Sequence, residues 1–298
     1  MSPEDPKLPF SQRQGHTPVK TFVQLDDIDD DLRNRIWNAL DKYFWQDAAQ
    51  DDNKDSTKSF SRRLQDEFFK QPMWSLIVDV WPVYCLQLRG LFSKFKWFQV
   101  YDFIEFIANE YPNADISARF IEESNKLLEE ERSGYRFVSG VIAPIASAEE
   151  RGAVEEALNT TRSLPALRGA HIHLRDALKL LSDRERLGDL VYRNSIKESI
   201  SAVESICVKI AGEKATLGDA LNKIERAGKI KLHGALHQAF SSLYGYTSDA
   251  NGIRHALLNE PNLNLEDAQF MLVSCSAFVN YLFPKAVNAG VLADGAEK

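Results

Sequence analysis

Gly134-Tyr-Arg-Phe-Val-Ser-Gly-Val-Ile-Ala-Pro-Ile145 breaks the periodicity of the chain. On both sides apolar residues recur every three to four positions, the spacing of helices with one buried face. Inside this stretch, β-branched and aromatic residues flank Ser139-Gly140. A Ser-Gly pair between two such runs is a hairpin signal, and Pro144 confines the second run to a sheet edge. The stretch therefore predicts one small β-hairpin, near 135–145, in an otherwise helical protein.

Upstream, five aspartates lie among the six residues Asp26–Asp31. Carboxylates there oppose the dipole of a following helix. Leu32, Ile36, Leu40 and Phe44 then form an apolar stripe at four-residue spacing. The polar, acidic run from Ala48 to Ser59 reads as a loop. Phe60–Phe106 is dense in aromatics and broken by Pro72, Pro82 and Gly90. Two or three short helices fit it, with the rings as core rather than as a base-stacking platform. Pro112 opens an amphipathic helix over Ala114–Arg132 with the stripe Ile116, Phe120, Ser124, Leu127 and Leu128.

Downstream, Ser147 with Glu150 forms an N-terminal capping pattern, as do Asn264 and Asp267. The spacing predicts helices over 147–160, 165–182, 191–211, 216–227, 232–244 and 264–284. The stripes Ile196, Ile200, Val203, Cys207, Ile210 and Ala268, Met271, Leu272, Cys275, Val279, Leu282 each mark one buried face. The fold class is mainly α. An N-terminal helical domain with the hairpin, residues 1–160, precedes a helical bundle, residues 161–285, and a loose tail, 286–298.

With 298 residues, 44% of them hydrophobic and 27% charged, the chain is long and apolar enough for a sizeable core. Cys85, Cys207 and Cys275 are far apart and odd in number, which excludes a secreted disulfide framework and reads as buried thiols of a cytoplasmic protein. Met1–Pro9 holds charges and three prolines but no apolar core, so no signal peptide is expected. No unbroken apolar run reaches the ~18 residues of a membrane span, and no membrane partner is expected. The net charge is −7. Residues 1–150 hold 18 Lys+Arg and 26 Asp+Glu, giving −8, and the rest hold 18 and 17, giving +1. Phosphate contacts need positive potential, so any nucleic-acid role belongs to the second half.

Known phosphate loops, nucleophile elbows and metal-ligand spacings are missing from the sequence. No cofactor and no metal are expected. His233 and His237 stand at i, i+4, without an evident third ligand. Arg168, His171 and Arg175 share a helix face, read as a solvated basic surface, with His173 pointing elsewhere. More specific is Tyr244-Gly-Tyr246-Thr-Ser-Asp249-Ala-Asn-Gly252-Ile-Arg254-His255-Ala-Leu, a Gly-, Asn- and Asp-rich turn that ends on an adjacent Arg-His. An arginine clamps phosphate in bidentate fashion, and a histidine exchanges a proton near neutral pH. Metal-free cleavage of RNA needs that pair, because the ribose 2′-hydroxyl is its own nucleophile. The plain alternative is a helix cap in which Arg254 pairs with Asp249.

Several stretches resemble known families. Tyr192-Arg193-Asn-Ser-Ile through Cys207, Thr216-Leu-Gly218, Leu243–Asp249, Gly252-Ile-Arg-His-Ala256 and Asp267–Leu282 are similar to a HEPN-type helical domain. Phe10-Ser-Gln-Arg13, Leu32-Arg-Asn-Arg-Ile-Trp-Asn38 and Gly134-Tyr-Arg-Phe-Val138 resemble the N-terminal domain of AbiJ-type abortive-infection proteins. The resemblance implies a phage-defence toxin, a metal-independent endoribonuclease acting as a homodimer on RNA, under a phage-derived trigger or regulatory partner. Arg254 matches the motif arginine and His255 the polar position after it. Tyr246, Asp249, Asn259 and Arg193 would bind substrate. The sequence departs from the motif where its second histidine falls and carries Asn259-Glu260-Pro261. Either His255 takes over proton transfer, or the domain binds RNA, a nucleotide or a protein without cleaving. A scaffolding dimer that uses Arg254 and His255 only as a cap is the third reading.

Overall fold

In a computed structural model of the chain, the described residues are 10–14, 16, 23–50, 54–72, 80–182, 190–212, 216–226, 228, 230–249 and 263–292. The fold separates into two compact units, Met1–Gly134 and Tyr135–Lys298.

The first unit begins with a helical turn, α1 (Phe10–Arg13). Helix α2 (Asp30–Leu40) follows, and the Asp29 carboxylate caps it by accepting from the Leu32 amide at 2.9 Å. The acidic run thus does what the dipole argument requires. Helix α2 continues through a π-helical segment, Asp41–Trp45, into α3 (Gln46–Gln50). Leu32, Ile36, Leu40 and Phe44 are all fully buried. Next, α4 (Lys54–Arg63) runs into a second π segment, Leu64–Phe69, which Lys70 ends in a left-handed conformation. The loop expected over 48–59 is therefore corrected. Helices α3 and α4 occupy its described residues, with Ala48 and Phe60 buried and Ser56, Thr57 and Lys58 half-buried. Polarity alone does not exclude a helix when a few apolar anchors face the core.

Helices α5 (Trp81–Phe92), α6 (Trp97–Glu110) and α7 (Ala114–Glu130) complete the unit. Aromatics pack around Phe44, with Tyr111 edge-on and Phe120 tilted, both 4.7 Å between centroids. This is core packing, as expected. The α7 stripe Ile116, Phe120, Ser124, Leu127 and Leu128 is buried throughout. Its cap is Asn113, whose Oδ1 accepts from the Asp115 and Ile116 amides at 3.1 and 3.2 Å. Three glutamates, Glu129–Glu131, crowd the α7 C-terminus, where the dipole disfavours them. Arg35 offsets them by bridging Glu130 and Glu131.

The second unit starts with strands β1 (Arg136–Val138) and β2 (Val141–Ala143), paired antiparallel with Phe137 opposite Ile142. Ser139 and Gly140 have φ of 49° and 84°, the left-handed pair of a two-residue hairpin turn. This is the one sheet among the described residues. Helix α8 (Ala148–Ser163) has the expected cap, Ser147 Oγ accepting from the Glu150 amide at 3.2 Å. The Glu150 carboxylate accepts instead from Gln269 at 2.9 Å.

A 3-10 turn, Pro165–Leu167, leads into α9 (Arg168–Ser182). Then come α10 (Leu190–Ala211), α11 (Leu217–Arg226), α12 (Gly234–Asp249) and α13 (Leu265–Asn288). Helices α9 and α10 run antiparallel, sharing Gly169 against Ser205, His173 against Glu198, and Ser195 Oγ donating to the Ala177 carbonyl at 2.8 Å. A Cβ at Gly169 would sit 2.7 Å from Ser205 Oγ, so the small residue sets how closely the helices cross. The stripes expected on α10 and α13 are buried in one core.

The C-terminal boundary differs from expectation. Helix α13 passes through Pro284 to Asn288, and Ala286 and Leu292 are buried. The loose tail expected from 286 is corrected accordingly up to residue 292. Among the described residues, α13 is the one helix long and apolar enough to cross a membrane by length and composition, yet its apolar face lies in the unit's core.

Candidate functional site

The residues that sequence reasoning singled out are unevenly placed. Arg193 is half-buried in the first turn of α10. Tyr246 and Asp249 fall in the last turn of α12, because the helix runs on through Gly245 where a turn was expected from Tyr244. The correction has a simple cause: one glycine costs a helix only about 1 kcal/mol, and packing on one face covers it. Arg254, His255 and Asn259 lie outside the described residues, in the connection between α12 and α13.

Both ends of that connection are defined. On one side Phe240 of α12 stacks on Phe278 of α13 with centroids 3.2 Å apart. On the other, Asn264 and Asp267 form the expected reciprocal box. The Asn264 amide donates to Asp267 Oδ2 at 3.1 Å, and the Asp267 amide donates to Asn264 Oδ1 at 2.9 Å. A capped helix start fixes where the connection ends.

The second basic group is spread over a surface. Arg168 and Arg175 are exposed on α9, and Arg175 pairs with its neighbour Asp176 at 2.9 Å. His171 is half-buried with Nδ1 3.2 Å from the Leu158 carbonyl. His173 Nδ1 meets Glu198 Oε2 at 2.6 Å, tying α9 to α10. His233 is exposed, and its Nδ1 accepts from the Ala235 amide at 3.2 Å. His237 is half-buried, with Nε2 3.8 Å from a Glu225 oxygen. Cys207 and Cys275 are buried as expected, whereas Cys85 is half-buried.

The first unit holds features that sequence reasoning missed. Asp29, Asp31 and Glu131 bring carboxylate oxygens within 4.8 Å of one another. Their chemistry is already engaged: Asp29 caps α2, and Glu131 is paired with Arg35. Elsewhere a cleft of about 370 Å³ opens between α3, α4 and the start of α7. Asp47, Ser56, Thr57 and Tyr111 line it with the segment Pro112–Asp115. The Tyr111 hydroxyl donates to Asp47 Oδ2 at 2.6 Å. In sequence only the Pro112-Asn113 helix start was legible there. Asp47 and Tyr111 are 64 positions apart, and their meeting depends on helices α3 and α4, read as loop.

By its fold the protein is a mainly helical chain of two compact units, with one hairpin among the described residues, at the start of the second unit. The chain belongs to the AbiJ N-terminal domain 4 family, whose model matches residues 8–160. That match runs past the first unit through the hairpin and most of α8. AbiJ domains belong to abortive-infection defence, and membership supplies that context. No curated protein matches the chain, and no solved structure matches it.

Proposed function

We propose that the protein is a cytoplasmic abortive-infection toxin whose second half is a HEPN-like, metal-independent endoribonuclease, active as a homodimer. One observation carries the reading: an adjacent Arg254-His255 pair on the connection to a capped core helix, in a chain of the AbiJ family. Arg254 clamps the scissile phosphate and stabilises its developing charge. Neutral His255 takes the proton from the 2′-hydroxyl as its oxygen attacks phosphorus. The bond from phosphorus to the 5′-oxygen breaks and the leaving oxygen takes a proton from solvent water, giving a 2′,3′-cyclic phosphate and a 5′-hydroxyl. Tyr246, Asp249, Asn259 and Arg193 contribute RNA contacts or orient the histidine. The acidic first half keeps non-specific RNA away and answers to a phage-derived trigger or regulatory partner.

A second reading rests on a specific observation. Asn259-Glu260-Pro261 stands where the motif's second histidine falls, which favours a domain that binds RNA, a nucleotide or a protein without cleaving it. The test uses purified full-length protein, RNA and excess chelator. Cleavage that persists with chelator and disappears in Arg254→Ala and His255→Ala variants supports the nuclease. Expression toxicity should vanish in the same variants. Binding without cleavage, or undiminished toxicity in a folded His255→Ala variant, refutes it.

A further inference from the structure

Helix α13 is apolar on more than its core side. Between Asp267 and Lys285 it carries no charged residue, yet only 44% of its most apolar stretch is buried inside the unit. On the side turned away from the core, Phe270 is 59% exposed, Ala277 is exposed, and Val273, Ser274 and Tyr281 are half-buried. Single exposed apolar side chains are ordinary, but a contiguous row of them marks an interaction surface.

The order of residues along this face says what fits it. Glu266, Phe270, Ser274, Ala277, Tyr281 and Lys285 follow one another at spacings of 4, 4, 3, 4 and 4, the same from either end. At 3.6 residues per turn all six fall within an arc of about 100°. Two copies of the face laid antiparallel about a two-fold axis between Ser274 and Ala277 are therefore complementary. Phe270 of each copy meets Tyr281 of the other, and the small Ser274 and Ala277 let the helices approach at the centre. Glu266 of each copy then stands beside Lys285 of the other. Both charges are available for this. Among the described residues neither Glu266 nor Lys285 forms an ion pair. Lys285 Nζ donates to the Lys231 carbonyl at 3.2 Å and lies 4.9 Å from the centre of the Tyr281 ring, at the edge of the face. Antiparallel packing also sets the two helix dipoles against each other.

A lipid surface fits less well. Gln269 and Asn280, along one edge of the face, donate to the carboxylates of Glu150 and Glu156 on α8. Negative charge therefore borders the row where anionic headgroups would lie.

We propose that this face of α13 is a homodimer interface, packed antiparallel on α13 of a second copy of the chain. It gives the homodimer its contact, and so rests on that part of the reading above and not on the RNA chemistry.

The test is sedimentation equilibrium of the full chain. The parent should be a dimer that dissociates on dilution. Ala277→Glu puts an unpaired carboxylate at the centre of the pair and should raise the dissociation constant about 100-fold or more. The urea midpoint of dilute, monomeric protein should stay that of the parent. Glu266→Lys and Lys285→Glu should each weaken the dimer about fivefold, and the double variant should recover the parent's constant. A merely structural role of Lys285 would not give that recovery, and this pair keeps the test valid if Ala277→Glu does not fold. A parent that stays monomeric overturns the interface and the homodimer reading together. A dimer indifferent to Ala277→Glu, or a double variant no tighter than its singles, overturns the interface alone. Binding of the parent to phosphatidylcholine–phosphatidylserine vesicles in place of self-association assigns the face to a membrane and overturns it too. Dissociation by Ala277→Glu with RNA cleavage retained supports the interface and overturns only the claim that the nuclease acts as a dimer.

Discussion

Replacing Gly169 by alanine tests how α9 and α10 pack. The new Cβ would lie 2.7 Å from Ser205 Oγ, well inside the 3.4 Å at which ordinary contact begins. Relief requires Ser205 to leave its rotamer or the helices to separate. Overpacking of this kind costs about 1–3 kcal/mol. Opposing it, alanine is a better helix former than glycine by up to about 1 kcal/mol, less in a first turn. Gly169→Ala should thus be destabilised by about 1 kcal/mol or more. The Ser205 Cβ, by contrast, is 3.9 Å from the same point. Removing the hydroxyl leaves an ordinary contact, so the double variant Gly169→Ala/Ser205→Ala should be at least as stable as the parent. Ser205→Ala alone should move stability by no more than about 0.5 kcal/mol. All five tryptophans lie in the first unit, so urea transitions should be followed by far-UV circular dichroism as well as fluorescence. A coupling energy of about 1–2 kcal/mol is expected from the cycle. Additivity within about 0.5 kcal/mol would refute the argument that this glycine sets the crossing distance.

Phe278 is buried and stacks on Phe240, so Phe278→Ala should cost about 3–5 kcal/mol. Phe270 on the same helix is 59% exposed, and Phe270→Ala should stay within about 0.5 kcal/mol by the same denaturation assay. The buried thiols make stability fall in alkali. Burial pushes Cys275 up to about 12 and raises Cys207 as well. A folded-state pKa above the unfolded one gives stability that is complete below the unfolded value, near pH 9, and lost as pH rises beyond it. The expected slope is about 1.4 kcal/mol per pH unit for each thiol. Cys275→Ala should flatten the alkaline fall measured by urea midpoints between pH 8.5 and 10.5, and an unchanged slope would count against it.

Much of the fold was legible because local rules and burial agree there. The Asp29 cap, the Asn264–Asp267 box, the Ser139-Gly140 turn and the stripes of α7, α10 and α13 each rest on interactions a few residues apart. What escaped depends on distant partners. The π segments 41–45 and 64–69 shift helix register while keeping Phe44, Trp45 and Leu64 buried, and no sequence signal marks such a shift. Proline ordinarily ends a helix by removing a donor to the carbonyl four residues back. In α13 that carbonyl belongs to Asn280, whose side chain ties the helix to α8 by donating to the Ala153 carbonyl at 2.9 Å. Tertiary packing on both sides of Pro284, down to buried Ala286, holds the helix together. Of the candidate site, the sequence supplied the Arg254-His255 pair and the helix start that follows it. The extension of α12 through Tyr246 and Asp249 was hidden by Gly245 and the Gly-, Asn- and Asp-rich residues after it, which read as a turn.

Charge shows the same division between local and distant. The count of −8 over residues 1–150 reads as a uniformly repulsive surface. The structure instead sorts those carboxylates by what they touch. Asp29 is spent on a cap, Glu130 and Glu131 on Arg35, and Glu67 and Glu110 on Arg63. Exposed pairs of this kind add little stability, but they neutralise one another at close range. Asp47 is different, because its carboxylate accepts from the neutral Tyr111 hydroxyl, at 2.6 Å. The net charge of the half therefore overstates the negative potential that a distant partner meets. Neutralising exposed Asp26 should change only the long-range, salt-screened field, and leave stability within about 0.5 kcal/mol.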